Sequence, residues 1–319
     1  MSMQVQIDRI EYTPRDRLLP NRNIYILTLE CIVPDDSYLI TASMPSELPN
    51  ISDEIKSIVK ELDKKSWNNS DEFYYQLLRE VGRIENIKKN KERNFFPRIN
   101  DQYIIPGSTL KGAVRSRIEY KLSPKNNKSL SCYIVEDNSY PQYAVNHIKF
   151  WGNDVVISRP KCNITDYSNK VCWVCNIFGS PSLSSLVSFS DAYLVDGGIV
   201  KLNDLGYEAA KPGSKFNLKI TCFNFDKIML GLLFLGLELY SKSPIIIGIL
   251  KYKYNKKLGS LYKGKYSFGL LRFELKEIEV IDHRCRRNEN VNEIVNECKR
   301  ELENSNLNQY IDWNRGVIS

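Results

Sequence analysis

Cysteines in the middle of the chain have the spacing of a metal site. Cys172 and Cys175 form a Cys-x2-Cys pair, and Cys162 lies ten residues upstream of it. Cys132 or His147 would complete a tetrahedral set of soft ligands of the kind that binds zinc. The alternative is that the pair faces a reduced core, because one Cys-x2-Cys motif is a weak signal by itself. A zinc ion here is expected to be structural rather than catalytic. Thioredoxin-like redox chemistry is not expected, since no βαβ setting surrounds the pair.

A turn and the start of a helix are predicted within residues 105–117. Pro106-Gly107 is typical of a turn, and Ser108 and Thr109 can cap the helix that follows. The free N–H groups in the first turn of a helix suit a phosphate. The segment therefore has the backbone of an anion-binding site.

Three cations follow in the same segment. Lys111 and Arg115 are four residues apart and share a helical face, with Arg117 further round. Together with the turn, they favour the binding of an anion. The alternative is an ordinary junction between a loop and a helix, with basic residues on its surface.

Basic residues are concentrated in two segments of a chain whose net charge is +7. Residues 82–128 hold twelve Lys and Arg against four Asp and Glu, and residues 249–276 hold eight against one. The second segment interleaves bases with aromatic rings, at Tyr252, Lys253, Tyr254, Lys256, Lys257, Tyr262, Lys263, Lys265 and Tyr266. A groove for single-stranded RNA needs this mixture for charge and base stacking. The alternative is that these lysines form solvated faces that keep the protein soluble.

Several other classes of protein find little support in the sequence. It contains neither a Walker phosphate loop nor a dinucleotide fingerprint. His147 and His283 are the only histidines, which leaves little room for a ribonuclease that uses a histidine acid/base pair. Residues 1–20 are too charged for a signal peptide, and the apolar run 228–239 is too short to cross a bilayer. We therefore expect a cytoplasmic protein with no membrane partner.

Strands and helices alternate in the elements that would position these residues. Strand patterns cover residues 23–33, 215–223, 245–250 and 270–280, and helix patterns cover residues 110–122 and the apolar run from residue 228. This order predicts repeated βαβ-type halves of a ferredoxin-like α+β fold. We expect one domain over residues 1–319, with a helical and basic insertion at about 36–95, an insertion at about 123–170 that carries candidate zinc ligands, and a C-terminal helix at about 287–305.

Three blocks of the sequence resemble one known family. Residues 105–117 resemble the IPGSSLKGALR signature of the RAMP superfamily, whose members assemble type III CRISPR effector complexes, and only Thr109 departs from the commonest serine. Residues 172–180 with 187–192 are similar to the CxxCxxFGS and fsDA block of the same proteins, and residues 265–269 resemble their late glycine-rich loop. The blocks occur in the order of the family.

This resemblance implies a ferredoxin-like (RRM-like) core that assembles with other RAMP subunits along a guide RNA and grips the RNA mainly through its phosphates. It implicates the turn and helix in guide-RNA contact, with the late loop nearby. Taken with the charge pattern, the predicted RNA-binding residues are Gly107, Ser108, Thr109, Lys111, Arg115, Arg117, Lys263, Lys265, Phe268 and Gly269.

The resemblance also bears on catalysis. Backbone subunits of the family cut target RNA with an aspartate on a loop shortly before the turn. Here Phe95-Phe96 precede Pro97 where that acid is expected, so Asp101 is the one weak catalytic candidate. A divalent metal is expected only if the chain is a nuclease.

We therefore expect a guide-RNA (crRNA)-binding subunit that helps to assemble the complex, presents the guide for target RNA recognition in antiviral defence and does not itself cleave RNA. One alternative is a metal-dependent endoribonuclease that cleaves target RNA or processes the guide. Another is a protein-binding adaptor whose basic loops never touch RNA, which salt-sensitive binding to a guide-length RNA would exclude.

Overall fold

Long antiparallel strands and the helices packed on them organise the computed structural model. The structure describes residues 3–41, 58–64, 72–80 other than 74 and 78, 95–132 other than 127, 155–157, 162–202 other than 167, 207–248 and 267–315. The strands are β1 (Met3–Ile7), β2 (Ile10–Glu11), β3 (Asn23–Ile32), β4 (Ser37–Tyr38), β5 (Arg98–Ile99), β6 (Gln102–Ile105), β7 (Lys128–Ser129), β8 (Val155–Ile157), β9 (Lys170–Val171), β10 (Val187–Phe189), β11 (Ala192–Asp196), β12 (Ile199–Leu202), β13 (Tyr207–Ala210), β14 (Lys215–Phe225), β15 (Ile245–Ile246), β16 (Ser267–Phe268), β17 (Leu270–Ile281) and β18 (Arg286–Glu289). The helices are α1 (Gly107–Lys121), α2 (Trp173–Phe178), α3 (Lys227–Gly236) and α4 (Val291–Asn304), with a 3-10 turn at Asn308–Tyr310.

The main sheet has nine strands, and seven of them run in the order β15-β17-β3-β14-β11-β6-β5. The other two lie off this path, where β10 pairs with β14 and β18 pairs with β17. In chain order, β3, α1, β11, β14, α3 and β17 give the strand-helix-strand-strand-helix-strand sequence of a ferredoxin-like fold. The α+β prediction is therefore confirmed.

The burial pattern of the central strands explains why they form one sheet. In β14, Phe216, Leu218 and Ile220 are buried, while the alternate positions Asn217 and Lys219 are exposed. The neighbouring strand β3 alternates in the same way, and its buried residues are Tyr25, Leu27, Leu29 and Cys31. Because side chains of a strand alternate between two faces, one face of the sheet carries the core.

Helix α3 is buried along almost its whole length and packs against α1. Asp226 caps it by accepting a hydrogen bond from the Met229 amide at 2.7 Å. A Cβ atom at Gly236 would lie 2.4 Å from the Ile118 side chain, so the glycine permits the two helices to approach. Helix α4 buries Ile294, Cys298 and Leu302 on one stripe, as expected of the C-terminal helix. Its predicted start at about residue 287 is wrong, because Arg286–Glu289 pair with β17 as β18 and Asn290 caps the helix.

Some predicted segments are described only in part. The strand predicted at 245–250 pairs over Ile245–Ile246, and residues 249 and 250 lie outside the described residues. Within the predicted insertion 36–95, helical residues occur at 58–62 and within 72–80. The described part of the insertion 123–170 contributes β7 and β8, which flank β1 in a small parallel sheet. No helix among the described residues is long and apolar enough to span a membrane.

Candidate functional site

Helix α1 begins differently from the sequence prediction. Pro106 is its N-cap residue, and neither Ser108 nor Thr109 caps it through a side chain, because both lie inside the helix. The cap comes instead from Asp191, whose Oδ1 accepts a hydrogen bond from the Gly107 amide at 2.8 Å. A carboxylate is favourable at the positive end of a helix dipole. The predicted cap is therefore wrong, and the first N–H group expected to meet a phosphate already has a protein partner.

Gly107 is needed at this point because two backbones approach closely. A Cβ atom there would lie 2.4 Å from the carbonyl oxygen of Phe189 and 2.5 Å from that of Ser190. The residue is buried beneath the turn between β10 and β11. The block at 105–117 and the block at 187–192 thus form one junction, in which a glycine admits the turn and an aspartate caps the helix.

Lys111 lies about one turn beyond Gly107 on α1. Its ammonium forms no ion pair or hydrogen bond with the part of the chain that the structure describes. Burial, followed by the nearby Arg115, lowers the pKa of Lys111. Ser108, one turn earlier on the helix, is exposed, and Thr109 is partly exposed. The first turns of α1 therefore present a cation and hydroxyl groups with capacity to bind an anion.

Arg115 is directed into the protein. Its Nε pairs with Glu119 Oε1 at 2.9 Å, its Nη1 donates to the Gly179 carbonyl at 2.9 Å, and its Nη2 donates to Cys175 Sγ at 3.3 Å. Burial lowers the pKa of Arg115, but the Glu119 carboxylate and the Cys175 sulfur together raise it above the ordinary value. Gly179 has a left-handed φ of 83°, which a side chain would strain. The guanidinium therefore joins α1 to the end of α2.

Arg117, the third predicted cation, is also buried. Its Nε pairs with Glu238 Oε1 at 2.5 Å, and its Nη2 donates to the Arg315 carbonyl at 2.7 Å. Lys121 pairs with the other oxygen of Glu238 at 2.9 Å. Arg115 and Arg117 both have protein partners, so the geometry favours a structural role for each.

The candidate metal ligands do meet. The four sulfur atoms of Cys132, Cys162, Cys172 and Cys175 all lie within 4.8 Å of one another, and all four residues are buried. In a tetrahedral zinc site, bonds of about 2.3 Å separate the sulfur atoms by about 3.8 Å. The cluster could therefore hold a metal ion with little rearrangement. The alternative ligand His147 lies outside the described residues.

Local backbone geometry supports this cluster. Cys172 is the N-cap of α2, and its sulfur accepts a hydrogen bond from the Cys175 amide at 3.4 Å. The Cys162 sulfur accepts from the Cys172 amide at 3.1 Å. Hydrogen bonds from Cys132 and then the other two thiols lower the pKa of Cys162, while burial raises the pKa of Cys172. The cluster thus favours a thiolate at Cys162, and a bound cation would stabilise all four sulfurs as thiolates.

The two described residues of the late loop that were predicted to bind RNA, Phe268 and Gly269, both contact Tyr38. Phe268 is buried and stacks on Tyr38 with ring centroids 5.8 Å apart. Gly269 adopts a φ of 73° and its amide donates to the Tyr38 carbonyl at 2.8 Å. Their predicted contact with RNA stays a prediction, and the ring face of Phe268 that meets Tyr38 is not available to a base. Lys263 and Lys265 lie outside the described residues.

Asp101 lies at the tip of the β5–β6 hairpin. Asn100 and Asp101 form its two-residue turn, with φ angles of 47° and 62°, as in a type I′ turn. The side chain of Asp101 is exposed. Phe96, which stands where the family acid is expected, is buried and stacks on Phe216 at 6.0 Å. The position has therefore become part of the core.

Sequence reasoning missed two residues that organise the site. Asp191 stands out in the sequence only as part of a motif, because the helix that it caps begins 84 residues earlier in the chain. Asn176 holds the N-terminal segment: its Oδ1 accepts from the Thr13 amide at 2.9 Å, and its Nδ2 donates to Thr13 Oγ1 at 3.0 Å. No local pattern links residues so far apart in the chain.

Comparison with known proteins finds one family and a similar solved structure. A family model of the RAMP superfamily matches residues 86–305. Among solved structures, the chain is similar to the crystal structure of a Csm3-Csm4 subcomplex in the type III-A CRISPR-Cas interference complex, with 15% identity and a TM-score of 0.37 over 88% of this chain and 98% of that chain. The search of curated proteins finds no match.

Proposed function

This chain belongs to the RAMP superfamily, and we propose that it is a guide-RNA-binding subunit of a type III CRISPR interference complex. The observation that carries the proposal is the start of α1, where Lys111 has no partner among the described residues and Ser108 is exposed beside it. A phosphate of the RNA backbone fits this combination of a cation and a hydroxyl group. Its partners would be guide RNA, target RNA and other RAMP subunits.

The contact that we propose is independent of base sequence. Lys111 and Ser108 offer donors to phosphate oxygens and no geometry for reading a base edge. Asp191 restricts where the phosphate lies, because its carboxylate occupies the Gly107 amide and repels an anion there. The phosphate therefore sits on the Lys111 side of the helix start, and base pairing by the guide supplies specificity.

We further propose that Cys132, Cys162, Cys172 and Cys175 hold a structural zinc ion. Four thiolates around Zn²⁺ carry a net charge of about −2, which a nearby donor can offset. Arg115 is that donor, because its Nη2 lies 3.3 Å from Cys175 Sγ. The metal would then fix Arg115, and Arg115 would fix the helix that presents Lys111.

The loop before α1 favours a subunit that does not cleave RNA. Phe96 fills the core where an acid is expected, and Asp101 belongs to a hairpin turn. The nuclease alternative rests on Asp101 alone, since this side chain is exposed at the tip of its hairpin. Loss of one target cut in the Asp101→Ala complex, with binding unchanged, would favour that alternative.

The test is a salt titration of RNA binding. Lys111→Ala should weaken binding to a guide-length RNA by a similar factor for unrelated sequences and reduce the slope of log affinity against log salt by about one. Lys201→Ala is the matched control, because Lys201 is an exposed lysine on β12. An unchanged slope for Lys111→Ala, or equal losses in the two variants, would refute the contact.

A further inference from the structure

Strand β17 has an unpaired stretch along one edge. On the side away from β3, β15 pairs with Leu270 and Leu271, and β18 pairs with residues 278–281. No described strand pairs with residues 272–277 on that side. Pro244, directly before β15, has no N–H group with which to continue the ladder. At the other end, Asn290 turns the chain into α4.

This edge forms one wall of a groove, and α4 forms the opposite wall. The groove has a volume of about 550 Å³, within the range of sites that hold a ligand. Its apolar lining consists of Leu239, Phe273, Leu275, Val291 and Val295. Its charged lining consists of Lys242, Arg272, Glu274 and Lys299. We call it the α4 groove.

The charged groups of the α4 groove favour an acidic occupant. Three of them are cations, against one acid, Glu274, which pairs with Arg272 at 3.1 Å and with Lys276 at 2.9 Å. Lys299 also has a long, exposed contact with Glu303 at 3.7 Å, and the balance of charge around the groove stays positive. The Nε of Arg272 is buried and has no hydrogen-bond acceptor among the described residues. A buried donor without an acceptor is costly, so a shift of the Arg272 side chain that brings Nε to an incoming carboxylate or carbonyl oxygen would be favourable.

We propose that the α4 groove binds an extended acidic segment of a partner protein, which adds a short strand to β17 at residues 272–275. Strand addition to an open edge supplies backbone hydrogen bonds, and alternate side chains then enter the groove or face its rim. An apolar side chain fits the lining around Phe273 and Val295, and acidic side chains fit Lys242 and Lys299.

The length of the added strand follows from the edge itself. The register of β17 shifts between Leu275 and Glu277, and the exposed Lys276 lies at this irregularity. A bulge and a lysine are features that stop uncontrolled pairing at an edge. Residues 272–275 remain regular and line the groove, so about four residues can pair. RNA fits less well, because it has no backbone that pairs with a strand edge and Glu274 repels phosphate.

The experiment uses the full-length chain without RNA and a fluorescent, end-blocked peptide that alternates glutamate and valine. We expect binding that slows hydrogen–deuterium exchange at residues 272–275 and that weakens about tenfold in Lys299→Glu and in Lys242→Glu. Lys201→Glu, outside the groove, should bind as the wild type does. A peptide with lysine in place of glutamate should not bind.

An N-methylated peptide and an RNA oligomer distinguish strand addition from other ways of filling the groove. N-methylation of alternate backbone amides should abolish binding, because it prevents strand pairing while the charge is kept. Equal binding of the N-methylated peptide would overturn strand addition, and absence of binding by the acidic peptide would overturn the proposal. Oligouridylate that binds with the same dependence on Lys299 would assign the groove to RNA instead. None of these measurements depends on the proposed contact of Lys111 with a guide.

Discussion

The two ends of helix α1 use their cations in opposite ways. Lys111, near the start, has no partner among the described residues. Arg115 and Arg117, one to two turns later, are held by protein groups, including the Glu119 and Glu238 carboxylates. The difference comes from what lies beside each residue. The half-buried Lys111 has no acceptor near its ammonium among the described residues, whereas Arg115 reaches the cysteine cluster and Arg117 reaches Glu238, just after α3. Spacing on a helix therefore identifies a shared face, but the protein groups packed against that face decide whether a cation remains available to a ligand.

The largest expected effect concerns the cysteine cluster, which contacts the second half of α1 (the inner end) through Arg115. Cys162→Ser should reduce bound zinc from about one equivalent to less than about a tenth, because structural zinc sites need their complete ligand set and contribute on the order of 10 kcal/mol. Elemental analysis of protein purified without added metal measures this. Cys285→Ser is the control, since Cys285 is exposed and lies outside the cluster. Wild-type protein with only background zinc would refute the metal site.

The second prediction concerns the buried ion pairs at the inner end. Glu238→Ala should lower the free energy of unfolding by about 3–5 kcal/mol, because it leaves the charges of Arg117 and Lys121 buried without their carboxylate. Denaturant unfolding measures the change. Glu303→Ala removes an exposed acid that pairs with Lys299 at 3.7 Å and should cost less than about 1 kcal/mol. Similar losses of unfolding free energy in both variants would mean that Glu238 does not hold Arg117 and Lys121 in buried ion pairs.

The third prediction compares two glycines of α1. Gly107→Ala should destabilise the protein by about 1–3 kcal/mol, because the new methyl group meets the backbone at Phe189 and Ser190. Gly112→Ala should stabilise it by about 1 kcal/mol, since a Cβ atom there has no neighbour within 4 Å and alanine favours a helix. Thermal unfolding distinguishes the two. An unchanged melting temperature in Gly107→Ala would show that the β10–β11 turn does not lie close to the start of α1.

The sequence predicts the fold well where burial alternates regularly. The expected strand at 215–223 is present and extends to Phe225, and the stripe of α4 is buried as its spacing indicates. These elements can be predicted because the spacing of apolar residues differs between a strand and a helix. The sequence also predicts that Cys162, Cys172 and Cys175 lie together, with Cys132 or His147 as the fourth member, and the structure brings Cys132 to the other three.

The direction of each basic side chain was not predictable in the same way. The partners of Arg115 lie near in sequence, at Glu119, and far away, at Cys175 and Gly179. Only the folded chain brings the distant ones to the helix. The cap at Gly107 was missed for the same reason, because Asp191 is 84 residues away. Pairwise contacts at long range depend on topology, which residue spacing alone does not encode.

The smallest expected effect is also the most direct test of the comparison. Arg115→Ala should lower zinc affinity by about tenfold, because Arg115 donates to the Cys175 sulfur and outer partners of metal ligands act at this scale. It should leave the salt slope of RNA binding unchanged, since its guanidinium meets protein groups rather than phosphate. Lys111→Ala should do the reverse, with a smaller salt slope and unchanged zinc affinity. Competition with a chromophoric chelator measures the zinc affinity, and RNA titration at several salt concentrations measures the salt slope.

Arg115→Lys sharpens the result, because it keeps the positive charge but cannot reach Glu119, Gly179 and Cys175 together, so it should also bind zinc more weakly. A reduced salt slope in Arg115→Ala at full zinc occupancy would place both cations in the RNA site and remove the distinction between the two ends of α1.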